Sequence, residues 1–347
     1  MAYNKVIYGG NTLIDLTADT ITADKLASGY TAHDASGALI SGTMEPGGNT
    51  GGYKELFEQG SFVQIIDDAA SFVMSSFYSS ARSSVLNNLS YIELQNCKEV
   101  RQYGFKGLLA LASISFPECI TVELSAFYGC SSLTNIYMPK LQNIGERAFA
   151  YCNLLTAIEL PECTSIAQGA FLACRNLSYL SLPKLSLLGS GVFSRVGMST
   201  SSPATFYLPN VTYISQYAFY GVSNLVSINL PALTSTADSI FCSCSLLTDV
   251  SVPNLQSVNY VMFGTCSALS VISFPKCVTI ANYAFSNCGG LSSVYFLGSS
   301  VAIPEGKSVF YNSNSSEIDI YVPASLYGAY CSVWSSAGLS SRIKSVS

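Results

Sequence analysis

Apolar residues recur along most of this chain in a fixed order, and the recurrence is anchored by proline. Prolines stand at 117, 139, 161, 183, 209, 231, 253 and 275, steps of 22 residues with a single step of 26 between Pro183 and Pro209. Ten residues after each comes a phenylalanine: Phe127, Phe149, Phe171, Phe193, Phe219, Phe241, Phe263 and Phe285. Three residues later lies a cysteine or valine column (Cys130, Cys152, Cys174, Val196, Val222, Cys244, Cys266, Cys288), and five after each proline a mostly β-branched or leucine column running from Val122 to Ile280. The unit reads LxxIxLPxLxxIxxxAFxxCxx. In LTNIYMP the alternation sends Ile136 and Met138 inward and Asn135 and Tyr137 outward, which predicts a short strand. The proline ends it because it cannot donate to a ladder. A second short extended segment carries the Ile column, and AFxxC is expected to close as a helical or 3₁₀ turn with its Phe on the far wall. One unit cannot enclose its apolar residues, so stacked neighbours must create the core.

The pattern therefore predicts a repeat solenoid of about ten units, with parallel strands about 4.8 Å apart on a face expected to be concave. Its regular part spans residues 95–296. Upstream, Gln95, Cys97, Val100 and Phe105 fill the corresponding slots, and 62–78 reads as a degenerate first unit within a 54–94 cap. Residues 297–347 form a degenerate last repeat and a C-terminal cap. The step of 26 predicts a loop near Met198 to Pro203.

Residues 1–45 lack the repeat and are followed by a Gly-rich linker at 46–53, which marks them as a separate small α+β module. Within it, Thr22 to Ser28 reads as a short helix stopped by Gly29, and YTAH-DASG-ALIS as a β-hairpin.

Composition removes several functions. Charged residues make up only 11%, with 16 Lys and Arg against 21 Asp and Glu, and no basic run offers the footprint of nucleic-acid or membrane-surface binding. The beginning of the sequence shows no apolar stretch of signal-peptide type, and no window suits a membrane span.

Twelve cysteines are present, six of them in the column that also accepts Val196 and Val222. A column that takes valine is used for size and apolarity, so reduced core thiols are expected. A disulfide between stacked neighbours such as Cys130 and Cys152 stays open; without a CxxC pair, a metal site is not expected. The one histidine, His33, falls in the N-terminal hairpin, and no GxSxG elbow is present, so no catalytic residue is assigned. GSGVFS at 189–194 lacks the last glycine of a phosphate-binding loop, and Asp67-Asp68 lacks calcium-loop spacing. No cofactor is expected.

The outward strand positions are rich in Tyr, Ser and Asn. Asn135, Tyr137, Glu159, Tyr179, Tyr207, Asn229, Asp249 and Tyr295 are the candidate ligand-binding residues, because tyrosine offers contact area at low entropy cost beside adaptable hydroxyls. The same residues also suit a strand surface with no ligand.

The repeat resembles the BspA-type leucine-rich repeats of bacterial surface proteins, whose hallmark is an LP step followed by an AFxxC-like step. The final segment, IDIYVPASLYGAYCSVWSSAGLSSRI, is similar to the closing segment of that family. The stretch DLTADTITADKLASGYTAHDASGALISGTM resembles a module near the starts of tail and minor structural proteins of phages and prophages of Gram-positive bacteria. Together the resemblances imply a non-enzymatic, virion- or tail-associated protein. Residues 1–45 would attach to phage tail proteins, and the repeats would bind a protein or glycan on a cell surface. A cell-surface BspA-like adhesin binding host extracellular proteins is the alternative. Virion or tail association, or an extracellular cell-surface location, is thus expected without a recognisable signal peptide or spanning segment in these residues.

Overall fold

The computed structural model describes residues 90–94, 97–198, 202–299, 306–314 and 317–346, together with the backbone of the strands Lys5–Tyr8, Asn11–Asp15, Thr31–His33, Leu39–Ser41 and Ser71–Phe72. The chain divides into two compact units, 1–53 and 54–347. In the first, Thr31–His33 pairs antiparallel with Leu39–Ser41, His33 facing Leu39 in register, which is the expected hairpin. Lys5–Tyr8 forms a second antiparallel pair with Asn11–Asp15, which the sequence pattern had not suggested. The expected helix at 22–28 and linker at 46–53 lie outside the described residues.

The second unit is a solenoid of about 11 turns with a period of about 22 residues. Each regular turn supplies two parallel strands. The first, such as Ala157–Glu159, buries its central residue and exposes the two beside it; the second, such as Ser165–Ile166, buries only its last residue. Both keep the repeat register, Ala157 facing Tyr179 and Asn143 facing Ser165. Upstream, Ser71–Phe72 pairs with Glu99–Val100; the rest of 62–78 lies outside the described residues. Cys97, Val100 and Phe105 are buried as their slots require. After the strand prolines, Glu118 pairs with Lys140 and Glu162 with Lys184, each at 2.6 Å. Such exposed pairs add less than about 1 kcal/mol each, but they favour the correct neighbour over a slipped one.

The third wall is built around phenylalanine. The N–H of Phe127 donates to Ala148 O at 2.8 Å and that of Phe149 to Ala170 O at 2.8 Å, so each turn hangs on the next through its Phe. Ten rings from Phe105 to Phe310 stack with centroids 5.1 to 5.7 Å apart and planes within 20°. Where a helical or 3₁₀ turn was expected, AFxxC keeps bonds to the third residue back, Cys130 N to Phe127 O at 3.2 Å, but forms turns rather than a helix. Residues two before and two after the Phe take left-handed φ, as Arg147 (52°) and Tyr151 (62°) do around Phe149. That alternation turns N–H groups toward the next turn, which a helix would direct along its own axis.

Neither strand ladder is continuous. Strand pairing in the first ladder is interrupted between Asn135–Tyr137 and Ala157–Glu159 and again between Asp249–Ser251 and Val271–Phe274; in the second it is interrupted between Ser165–Ile166 and Leu187–Leu188 and between Ser235–Thr236 and Ser257–Val258, where one bond, Gln256 N to Thr234 O at 3.1 Å, remains. The openings fall at different turns, so each of these junctions is still held by the other ladder.

The lengthened turn after Pro183 departs where the spacing predicted: Met198 is 54% exposed, and Ser202 and Pro203 are exposed, with 199–201 outside the described residues. Its base is closed by Asn224, whose Nδ2 donates to Leu177 O at 3.2 Å and Ser202 O at 3.1 Å. At the other end the strand Asp319–Pro323, the helix Tyr327–Trp334 and the strand Ile343–Val346 finish the stack. Trp334 and Tyr330 are fully buried, and Trp334 meets Phe310 edge-on at 5.9 Å, covering the last ring of the column.

Candidate strand-face binding site

All eight candidate residues stand at outward positions of the first-strand ladder. Asn135, Tyr137, Glu159, Tyr179, Tyr207, Asn229 and Asp249 are exposed, because the pleat that buries Ile158 or Val250 turns their side chains the other way. Tyr295 is only half exposed, since its ring stacks on Tyr321 of the next strand at 4.3 Å and 5°. Tyr137 and Tyr207 are 54% and 55% exposed. Hydroxyls just before the strands are tied to the preceding turn: Thr134 Oγ1 donates to Ala112 O at 3.0 Å and Thr248 Oγ1 to Val226 O at 3.2 Å. The face is thus a strand ladder whose outward polarity comes from tyrosines, serines, threonines, amides and carboxylates.

Tyr321 belongs to this face although the sequence reading stopped at Tyr295. The signal was available, since IDIYVP repeats the alternation of LTNIYMP, but that segment was assigned to the cap. Tyr91 and Glu93 extend the face at the other end in the same way, the Tyr91 hydroxyl donating to Glu93 Oε2 at 3.0 Å.

The cysteines serve the core, and they do more than fill volume. Cys130 Sγ donates to Phe105 O at 3.1 Å, Cys174 to Phe149 O at 3.2 Å and Cys266 to Phe241 O at 3.2 Å, each to the preceding turn. All twelve are free thiols, and burial pushes those of Cys130 and Cys174 up to about 12. Such groups are neither nucleophiles nor metal ligands at neutral pH. Among the described residues no group of three His, Cys, Asp or Glu is placed to hold a metal ion, and no helix is long and apolar enough to cross a membrane. GSGVFS is a turn of the Phe wall, as its missing glycine implied.

A surface that the sequence reading did not single out lies on the Phe wall. Lys106 Nζ sits 5.2 Å from the ring centroids of both Tyr103 and Tyr128, and Tyr260, Tyr283 and Tyr311 meet edge to face in succession at 5.7 and 5.5 Å. These tyrosines occupy different slots around Phe, so no single column announces them.

The model of the BspA type leucine rich repeat region matches residues 75–200 and 198–318 in six copies. The chain belongs to this family. Among solved structures, a leucine rich cell surface protein from Faecalibacterium prausnitzii is 18% identical, covers 86% of this chain and 94% of its own, and superposes with a TM-score of 0.36. A leucine-rich repeat protein from Bacteroides ovatus is 18% identical, covering 85% and 98%, with a TM-score of 0.36. The pneumococcal vaccine antigen PcpA is 17% identical, covering 93% and 100%, with a TM-score of 0.37. No curated protein matches the chain. Proteins of the BspA repeat family are in general binding scaffolds without enzymatic activity.

Proposed function

We propose that this BspA-type protein is a non-enzymatic recognition protein whose strand face binds a protein or glycan on a cell surface. The observation that carries the reading is the placement of Tyr137, Tyr179 and Tyr207 as exposed rings on a ladder held by three walls of hydrogen bonds. A rigid platform with aromatic anchors loses little entropy on binding. The setting we favour is a phage or prophage tail, with residues 1–45 attaching the chain to tail proteins; this rests on DLTADTITADKLASGYTAHDASGALISGTM. A cell-surface adhesin is the second reading, favoured by the family itself.

The test is to change Tyr137, Tyr179 and Tyr207 together to Ser and measure binding of the full chain to Gram-positive cells. Loss of binding with an unchanged melting temperature is expected. Retained binding would move the site off the strand face.

A further inference from the structure

The strand face sorts charge as well as shape. From Tyr91 to Tyr321 its outward positions carry four carboxylates, Glu93, Glu159, Asp249 and Asp319, and no lysine or arginine; at the C-terminal end the balance changes, where Asp319 is paired with Arg342 at 3.0 Å and the last strand sets Lys344 beside Tyr321. Several cations of these turns stand on other walls and are paired there, Lys140 with Glu118, Lys184 with Glu162, and Arg101 with Glu99 and Glu123. Glu159 and Asp249 are exposed, and no cation among the described residues pairs with either.

Glu159 also has a particular neighbourhood. Tyr137 precedes it by one turn in the same column, across the opening of the first-strand ladder, and Tyr179 follows on the paired strand, facing Ala157 in register while Glu159 faces Ser181. A carboxylate with exposed tyrosines on the strand before and the strand after it suits a cation, which can gain an ion pair and a negative ring face at once. Guanidinium fits better than ammonium because it is planar, stacks on rings and is less strongly hydrated. An anionic polymer would be repelled by the same field.

We infer that the strand face takes a basic, arginine-bearing segment of a partner protein, centred on Glu159 with Asp249 as a second contact. The inference rests on the reading that the strand face is the binding surface, and narrows its ligand from protein or glycan to a cationic protein segment.

The experiment uses the full chain and fluorescence anisotropy with three labelled probes: an alternating Arg-Gly peptide, a Glu-Gly peptide of equal length, and a dextran oligosaccharide. A chain of net charge −5 attracts any basic peptide weakly from every side, so variants decide. Glu159→Gln is expected to weaken Arg-Gly binding about fivefold, while Glu162→Gln, which removes the same charge from another wall, changes it less than about twofold. Equal effects of the two variants, or equal binding of the Glu-Gly peptide or the dextran, would overturn the inference. The double variant Glu159→Gln, Asp249→Asn is then tested on cells. If it binds cells while the triple tyrosine variant does not, the face stands and the cationic partner is rejected; if both bind, the face itself is wrong.

Discussion

The side-chain amide of Asn224 fills the space in which a β-carbon on Gly197 would stand. Gly197 has φ of +71°, and Asn224, 2% exposed, uses its Nδ2 to close the lengthened turn. Gly197→Ala therefore meets two obstacles, a left-handed backbone and a displaced amide, and should cost about 3 kcal/mol or more. Gly129 has a similar φ of +73° but open space around its Cα, so Gly129→Ala should cost only about 1–2 kcal/mol. Urea unfolding of both variants checks the difference.

The left-handed positions also hold side chains that resist them. Val261 has φ of +52° although it is β-branched. Val261→Asn keeps the turn and relieves the crowding, since asparagine tolerates this region. A gain of about 1 kcal/mol is expected, read as a higher urea midpoint; a lower midpoint would show that the valine contacts outweigh the strain.

These two sites mark where sequence reading stops. Proline, phenylalanine and the Ile column announced the period, the register and the core, because each slot accepts a narrow set of apolar side chains. The left-handed slots beside Phe were invisible because Ser125, Arg147, Tyr217 and Val261 occupy them as well as Gly169 and Gly191. Backbone pairing with the next turn imposes that geometry, whatever side chain is present. The thiol bond to the preceding Phe carbonyl was hidden in the same way, since Val196 and Val222 argue for size alone. For the candidate site, alternation placed Tyr137, Tyr179 and Tyr207 outward. The same alternation in IDIYVP puts Tyr321 on the face, but it does not reveal that its ring stacks on Tyr295 and partly covers it, because the 26-residue spacing departs from the period.

Alkaline pH should weaken the fold through its thiols. In the unfolded chain a thiol ionises near 9.0, whereas Cys130 and Cys174 hold their protons to about 12 when folded. The folded state thus binds more protons above pH 9, and this stabilising contribution is complete below that pH and is lost as pH rises toward 12. Changing both residues to Val should make stability fall less steeply between about pH 9 and about pH 11, at a cost of about 1 kcal/mol per lost hydrogen bond at neutral pH. Chemical denaturation across this range checks the slope. At pH 7 a maleimide should modify only the half-exposed Cys242 and Cys331 quickly.

Removing the cap should act locally. Trp334→Ala uncovers Phe310 and Phe296, which it meets at 5.9 and 6.5 Å, and should cost about 3–5 kcal/mol. Because turns of a solenoid touch only their neighbours, amide exchange should accelerate first near Phe296 and Phe310 and leave Phe149 protected. Uniform acceleration along the stack would contradict nearest-neighbour stability.

The staggered openings of the two strand ladders have a mechanical meaning. Like bricks laid with offset joints, the described turns present no cross-section at which both sheets are parted, and the Phe wall runs past each opening. Tension along the stack therefore finds no seam through the middle, and yielding starts by peeling an end turn, which has a neighbour on one side only. Tyr137, Tyr179 and Tyr207 lie well inside those ends, so a partner gripping them is held by the part of the protein that tears last.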